Sequence, residues 1–196
     1  MNKLKISLLL LVFMISACDV VNNLSGMYNF AKCDFRLNSV DNVRLAGVNV
    51  QNVTNPSALS VMDAARITAA YATNQLPLSF NLNVEVRNPN KEKAVMNGME
   101  WILLIDNIEM TRGNLNQRIE VMPNNQSAMM PLTLSFDLKK VLSGKSADAV
   151  TNFGMNLAGQ GNKPSRIALK AKPSMLVGGI SIPYPDYITI QNEFGK

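Results

Sequence analysis

The chain contains no histidine. Ser–His–Asp and Cys–His nucleophile systems, imidazole acid–base chemistry and His-dependent zinc sites are therefore closed to it. The residues left that could do chemistry are two cysteines, Cys18 and Cys33, and 14 carboxylates. The carboxylates could in principle supply a glycosidase-like pair. Their nearest grouping, Asp106 and Glu109, straddles a predicted hairpin turn, and turn geometry accounts for Asp106. "SGKS", 143–146, has the ending of a phosphate loop, but the first glycine of that pattern would fall on Lys139. In "GMNLAGQG", 154–161, Gly154 and Gly159 are in register, yet Gln160 stands where the lysine belongs. Both stretches read as turns. No catalytic residue, no metal site, no cofactor and no nucleotide is expected. A formal charge of +5, part of it from Lys3 and Lys5, is far from a nucleic-acid footprint.

Cys18 has a different setting. Lys3 and Lys5 open the chain, Ile6–Ile15 is apolar apart from Ser7, and Ser16 and Ala17 are small. Ten helical residues cover about 15 Å, half of a hydrocarbon core of roughly 30 Å, so the stretch is too short for a comfortable span. A basic start, a short apolar centre and small residues before a break are the grammar of an export signal. "Ile15-Ser16-Ala17-Cys18" resembles a bacterial lipobox. That resemblance implies cleavage between Ala17 and Cys18, and a diacylglycerol with further acyl lipid on Cys18 as the only covalent group. Two or more acyl chains hold a protein stably at a membrane, whereas one holds it marginally. The expected location is thus the bacterial cell envelope, at the outer membrane, with the bilayer as one partner. With Cys18 occupied, Cys33 has no intramolecular disulfide partner and reads as a small buried apolar residue.

The elements that follow must form a water-soluble body. Residues 18–32 are read as a lipidated tether able to dock as a short helix, and 33–196 as one domain. Two short strands are expected at about 33–38 and 42–50, separated at Ser39 and Asp41, with "NPS", 55–57, ending them. Ser60–Thr73 reads as a helix capped by Ser60, with Asp63 in its first turn. Its Met62, Ala65 and Ala69 share a face that would cover a sheet. In "LPLSFNLNVEVRNPN", 76–90, Leu78, Phe80, Leu82, Val84 and Val86 alternate with polar residues, which demands a strand with one dry face. Residues 99–115 read as a hairpin turning at Asp106-Asn107. Another turn at "PNNQ" leads to a strand with Met130, Leu132, Leu134 and Phe136 inward. Helices are expected at 138–142 and 146–157, and terminal strands at 166–177 and 184–194. The basic stripe Arg166, Lys170, Lys172 reads as the wet face of an edge strand. Hairpins of this kind favour a sandwich.

Asn88-Pro89-Asn90, the Asp106-Asn107 turn, Gly113 and Pro123-Asn124 together resemble the late embryogenesis abundant type 2 family, also called the water-stress and hypersensitive-response domain. The match spans about residues 76–137. Over its whole length the chain resembles lipoproteins of that family in Bacteroidetes-type bacteria. The resemblance implies an immunoglobulin- or fibronectin-III-like antiparallel β-sandwich, with one Ala-rich helix before and one or two helices after the central strands. It carries no catalytic residues. The expected function is a lipid-anchored, non-catalytic envelope module that binds or assembles with an unknown envelope protein or lipid. The alternative is a carrier of lipid or apolar ligand, or a stress-protective protein, to which the many methionines would lend an adaptable apolar surface.

Overall fold

The computed structural model describes residues 24–51, 53, 58–141, 149 and 163–194. The leader, Ala17, Cys18, "NPS", "SGKS", "GMNLAGQG" and all of the expected 146–157 helix except Ala149 lie outside that set.

Alternation sets the architecture. In β3 (Pro77–Asn88) every even-numbered residue is buried and every odd one is half-buried or exposed. Leu82, Val84 and Val86 are completely buried. β1 (Asp34–Leu45) and β8 (Gln126–Asp137) flank β3, both antiparallel to it. β2 (Val48–Asn49) extends the sheet, giving the order β2-β1-β3-β8. The second sheet is built on β5 (Gly98–Ile105), β6 (Ile108–Leu115), β9 (Ser165–Val177) and β10 (Ile180–Pro183), in the order β10-β9-β5-β6. β11 (Ile188–Phe194) also pairs with β9. A small ribbon joins β4 (Ala94–Met96) to β7 (Ile119–Val121). Side chains from the inner faces of both sheets, among them Leu82, Leu134, Leu103 and Ile167, form one contiguous core. Each contributes about 1.5–3 kcal/mol gross by leaving water. Thr111 Oγ1 donates to the Ser135 carbonyl at 3.2 Å, tying β6 to β8 where the two sheets curl together. The protein is a mainly β, antiparallel, sandwich-like fold, with three helices among the described residues.

Three expectations change. β1 is one long strand rather than two. Ser39 and Asp41 do not end it, because Asn83 Nδ2 on β3 donates to Ser39 Oγ and Asp41 Oδ2. The chain absorbs them as register shifts, between Leu37 and Ser39 and between Asp41 and Arg44. β9 is not an edge strand, since β5 lies on one side of it and β10 and β11 on the other. Arg166 and Lys170 stay exposed, but on the outer face of a central strand.

The Ala-rich helix, α2 (Val61–Ala72), covers no sheet face among the described residues and meets the body at Tyr71, over whose ring Lys139 Nζ sits at 3.7 Å. Ser60 caps it as expected: its Oγ accepts from the Asp63 N–H at 3.1 Å and donates to Asp63 Oδ2 at 2.7 Å. None of its residues is buried. Met62, Ala65 and Ala69 point to solvent, and only Asp63, Ile67 and Ala70 are half-buried. The outer face of β3 presents Ser79, Asn81, Asn83 and Glu85, which give an apolar helix face nothing to pack on. The helix after β8, α3 (Leu138–Val141), is a single turn.

The first described element is the helix α1, residues 24–31. It docks on the body. Phe30 enters the main core, where it meets Phe35 edge-on at 5.5 Å. Met27 is buried with Val95 and Met175 in a smaller cluster. Among the described residues no helix is long and apolar enough to cross a membrane.

Candidate functional site

The residues singled out by the motif gather at structural joints. Asn88 ends β3 and is completely buried. A buried amide must fill its hydrogen bonds or lose stability, and Asn88 fills both ends. Its Nδ2 donates to the Glu92 carbonyl at 2.9 Å and the Val121 carbonyl at 3.0 Å. Its Oδ1 accepts from Asn90 N at 3.0 Å and Asn90 Nδ2 at 2.8 Å. Its own carbonyl accepts from Asn125 N at 2.8 Å. Asn90 Nδ2 also donates to the Asn29 carbonyl in α1 at 3.0 Å, and Asn29 Nδ2 donates to the Lys93 carbonyl at 3.3 Å. Pro89 between them offers no N–H, so the ladder stops there and the side chains take over. The Asn-Pro-Asn motif thus ties together β3, the 89–93 loop, β7, the 123–125 turn and α1. Asn29 is the member that sequence reasoning missed. It lies outside any motif, and only the docked helix brings it near.

Asp106 and Asn107 have φ of 49° and 66°, as a two-residue hairpin turn requires. Asp106 also holds the neighbouring strand: its Oδ1 accepts from Arg166 N at 2.9 Å, and its N–H donates to the Arg166 carbonyl at 2.9 Å. Glu109 is taken by Arg112, whose Nε and Nη2 donate to its Oε1 at 2.8 and 2.7 Å. The two carboxylates are committed to different partners. Gly113 lies opposite Trp101. A Cβ there would come within 2.4 Å of Trp101 Cζ2, so the glycine makes room for the indole. Of the motif residues, the Asn88–Asn90 group sits with α1, whereas Asp106, Asn107 and Gly113 lie along the β5–β6 hairpin.

Among the described residues, the carboxylates with displaced titration are held in the charged form. Hydrogen bonding from Arg36, then from Ser127, keeps Glu85 below its usual range. Arg118 does the same for Glu120. The Leu76 N–H, at 3.0 Å from Oδ1, lowers Asp137. Cys33 goes the other way. Burial, then the charge of Asp34, pushes its thiol up to about 12. Its Sγ–H donates to the Asn29 carbonyl at 3.4 Å, as suits a packing residue and not a nucleophile. A shallow cavity of about 290 Å³ lies over Asp34, Phe35, Arg36, Glu85 and Arg87. Its charges pair across strands, Arg36 with Glu85 and Arg87 with Asp34 at 2.8 Å, which leaves a balanced surface.

A further surface surrounds α1. Met27, Val95 and Met175 pack together, with Leu24, Val177 and Tyr184 against them. Tyr28 of α1 meets Tyr184 edge-on, centroids 5.5 Å apart. The start of α1, six residues after Cys18, is therefore seated on the end of β9.

No family model matches this chain, and no curated protein does. Its structure is similar to the crystal structure of a protein from Archaeoglobus fulgidus, with 13% identity and a TM-score of 0.37, covering 80% of this chain and 96% of that one. It is similar to the X-ray structure of a Northeast Structural Genomics Consortium target, with 8% identity and a TM-score of 0.35, covering 80% and 84%. A protein from Arabidopsis thaliana solved in solution has 14% identity and a TM-score of 0.31, covering 59% and 68%.

Proposed function

We propose that this chain is a lipid-anchored, non-catalytic module of the bacterial envelope that binds or assembles with another envelope component. The observation that carries this reading is the seating of α1. A leader with lipobox character ends at Ala17, just before Cys18, and by residue 24 the chain is already packed on the sandwich. Six residues reach about 20 Å at most when fully extended. The body is held against the membrane surface instead of hanging from a long tether, an arrangement suited to a module that works at that surface.

Glu85, Glu120 and Asp137 are each held charged by their hydrogen-bond partners, so none of these three is a general acid with a raised pKa. The contiguous core joining the two sheets supports a binding scaffold over a carrier that opens between them. The resemblance of Asn88-Pro89-Asn90, Asp106-Asn107 and Gly113 to late embryogenesis abundant type 2 domains belongs with this reading, since those residues serve as joints here. The test is cross-linking in intact envelopes followed by recovery of the chain. A specific partner present at constant stoichiometry is expected. Recovery of abundant bystanders alone would contradict the proposal.

A further inference from the structure

The stretch from Pro173 to Pro185 contains no charged residue. Its centre is the hairpin of β9 and β10, closed by Gly178 and Gly179 with φ of 58° and 82°. A soluble fold normally puts polar residues at such a tip. This one puts Leu176 and Ile180 there, 50% and 69% exposed. Cross-strand pairing places Ile180 on the same face as Val177, and Leu176 on the other. One face of the tip is thus apolar, with Val177 and Ile180, and the other presents Leu176 beside the uncharged Ser181. At its base the chain runs into Tyr184, stacked edge-on with Tyr28. Tyrosines favour the level of lipid head groups, where the ring is buried and the hydroxyl stays wet.

The position of the hairpin says what covers it. Val177 and Leu24 pack against the same small cluster, so the tip and the start of α1 are neighbours. Cys18 is six residues upstream, within about 20 Å along a fully extended chain. We infer that the β9–β10 hairpin tip, Leu176 to Ser181, inserts into the bilayer that receives the lipid of Cys18, with Tyr28 and Tyr184 at the head-group level. This rests on the anchor reading above and deepens it: the membrane contact is made by lipid and hairpin together. Interfacial elements bury their apolar side about 5–10 Å deep, a depth that the four residues of β10 span at roughly 3.3 Å each. Two contacts fix a tilt where a single lipid would leave the domain free to swivel. The outer face of β3 and the exposed side of α2 would then hold a defined orientation to the membrane.

The experiment uses the full chain, purified from membranes and reconstituted in vesicles of phosphatidylethanolamine and phosphatidylglycerol. Ile180→Cys carries a polarity-sensitive fluorophore. Glu109→Cys, at the far end of the same sheet, serves as the aqueous control. Buried Cys33 does not compete for the label, and the intact mass reports the acyl groups on Cys18. A blue-shifted Ile180→Cys probe, quenched severalfold more by lipid-borne quenchers than the Glu109→Cys probe, is the expected result. An acylated chain whose Ile180→Cys probe stays in water overturns the hairpin contact and leaves the anchor standing. A chain without acyl mass overturns the anchor reading, and this inference with it. Quantitative Ile180→Cys cross-links between chains in detergent would assign the tip to a second copy and overturn it too.

Discussion

Asn88 shows how much one side chain can hold. It makes four side-chain hydrogen bonds from a fully buried position. Asn88→Ala should lower stability by about 2–4 kcal/mol, because each net hydrogen bond contributes about 1 kcal/mol and the stranded buried carbonyls cost more. Urea unfolding measures this. The same substitution at Asn90, which is half-buried, should cost less. Gly113→Ala should destabilise by about 1–3 kcal/mol through the clash with Trp101. Pairing it with Trp101→Leu should remove most of that penalty, and a double-mutant cycle showing no coupling would contradict the steric account. Leu82→Asp places an unpaired charge in a fully buried position and should unfold the domain. An unchanged melting temperature would refute the inner-face assignment. Asn88, Gly113 and Leu82 could all be picked out in the sequence. What each one touches could not, because Val121 reaches Asn88 by a hydrogen bond from β7, and Trp101 and Leu132 reach Gly113 and Leu82 by strand pairing, all of them distant in the chain.

At the scale of elements, period-two patterning made β3, β5 and β8 legible. Their inner residues are the expected ones, from Leu78 to Val86, from Trp101 to Ile105 and from Met130 to Phe136. The failures share a cause. Ser39 and Asp41 look like turn residues until Asn83 on the next strand binds them. The stripe on β9 looks like an edge until β10 and β11 arrive from later in the chain. α2 has an apolar face, yet no apolar surface of the body is offered to it. In each case a non-local partner decides, and local sequence does not encode it. α2 yields a clean prediction. Ala65→Glu and Ala69→Lys should change stability by no more than about 0.5 kcal/mol, as at exposed positions generally, while Ser60→Ala should cost about 1 kcal/mol through the lost cap. Melting curves of the purified variants decide it. Asp137 supplies the pH dependence at the β8–α3 junction. Its Oδ1 accepts from Leu76 N at 3.0 Å and Lys139 N at 2.9 Å. Its pKa in the fold lies below the ordinary 3.8, so its contribution is present above that value and is lost as pH falls through the lower one. Asp137→Asn keeps an accepting oxygen and removes the titration. Its urea midpoint should decline less than that of wild type below about pH 4, and parallel declines would contradict the assignment.

At the scale of the whole molecule, α1 joins the N-terminal segment to the sandwich. The sequence before Cys18 has the grammar of a lipid-anchor signal, and from residue 24 the chain is packed on the body, so a lipid on Cys18 would lie close to the sandwich. A tether was expected there, and its second half is a docked helix with Phe30 in the core. That docking couples the orientation of the sandwich to its N-terminal segment, and so to the anchor proposed at Cys18. The proposed envelope location and the proposed assembly role both rest on the lipid at Cys18. The most direct test of the account is the intact mass of the chain extracted from membranes of its native host. A polypeptide that begins at Cys18 and carries a diacylglycerol with additional acyl mass is expected, and Cys18→Ala should leave an unprocessed chain. A mature protein that begins elsewhere, or that keeps an unmodified Cys18, would contradict it.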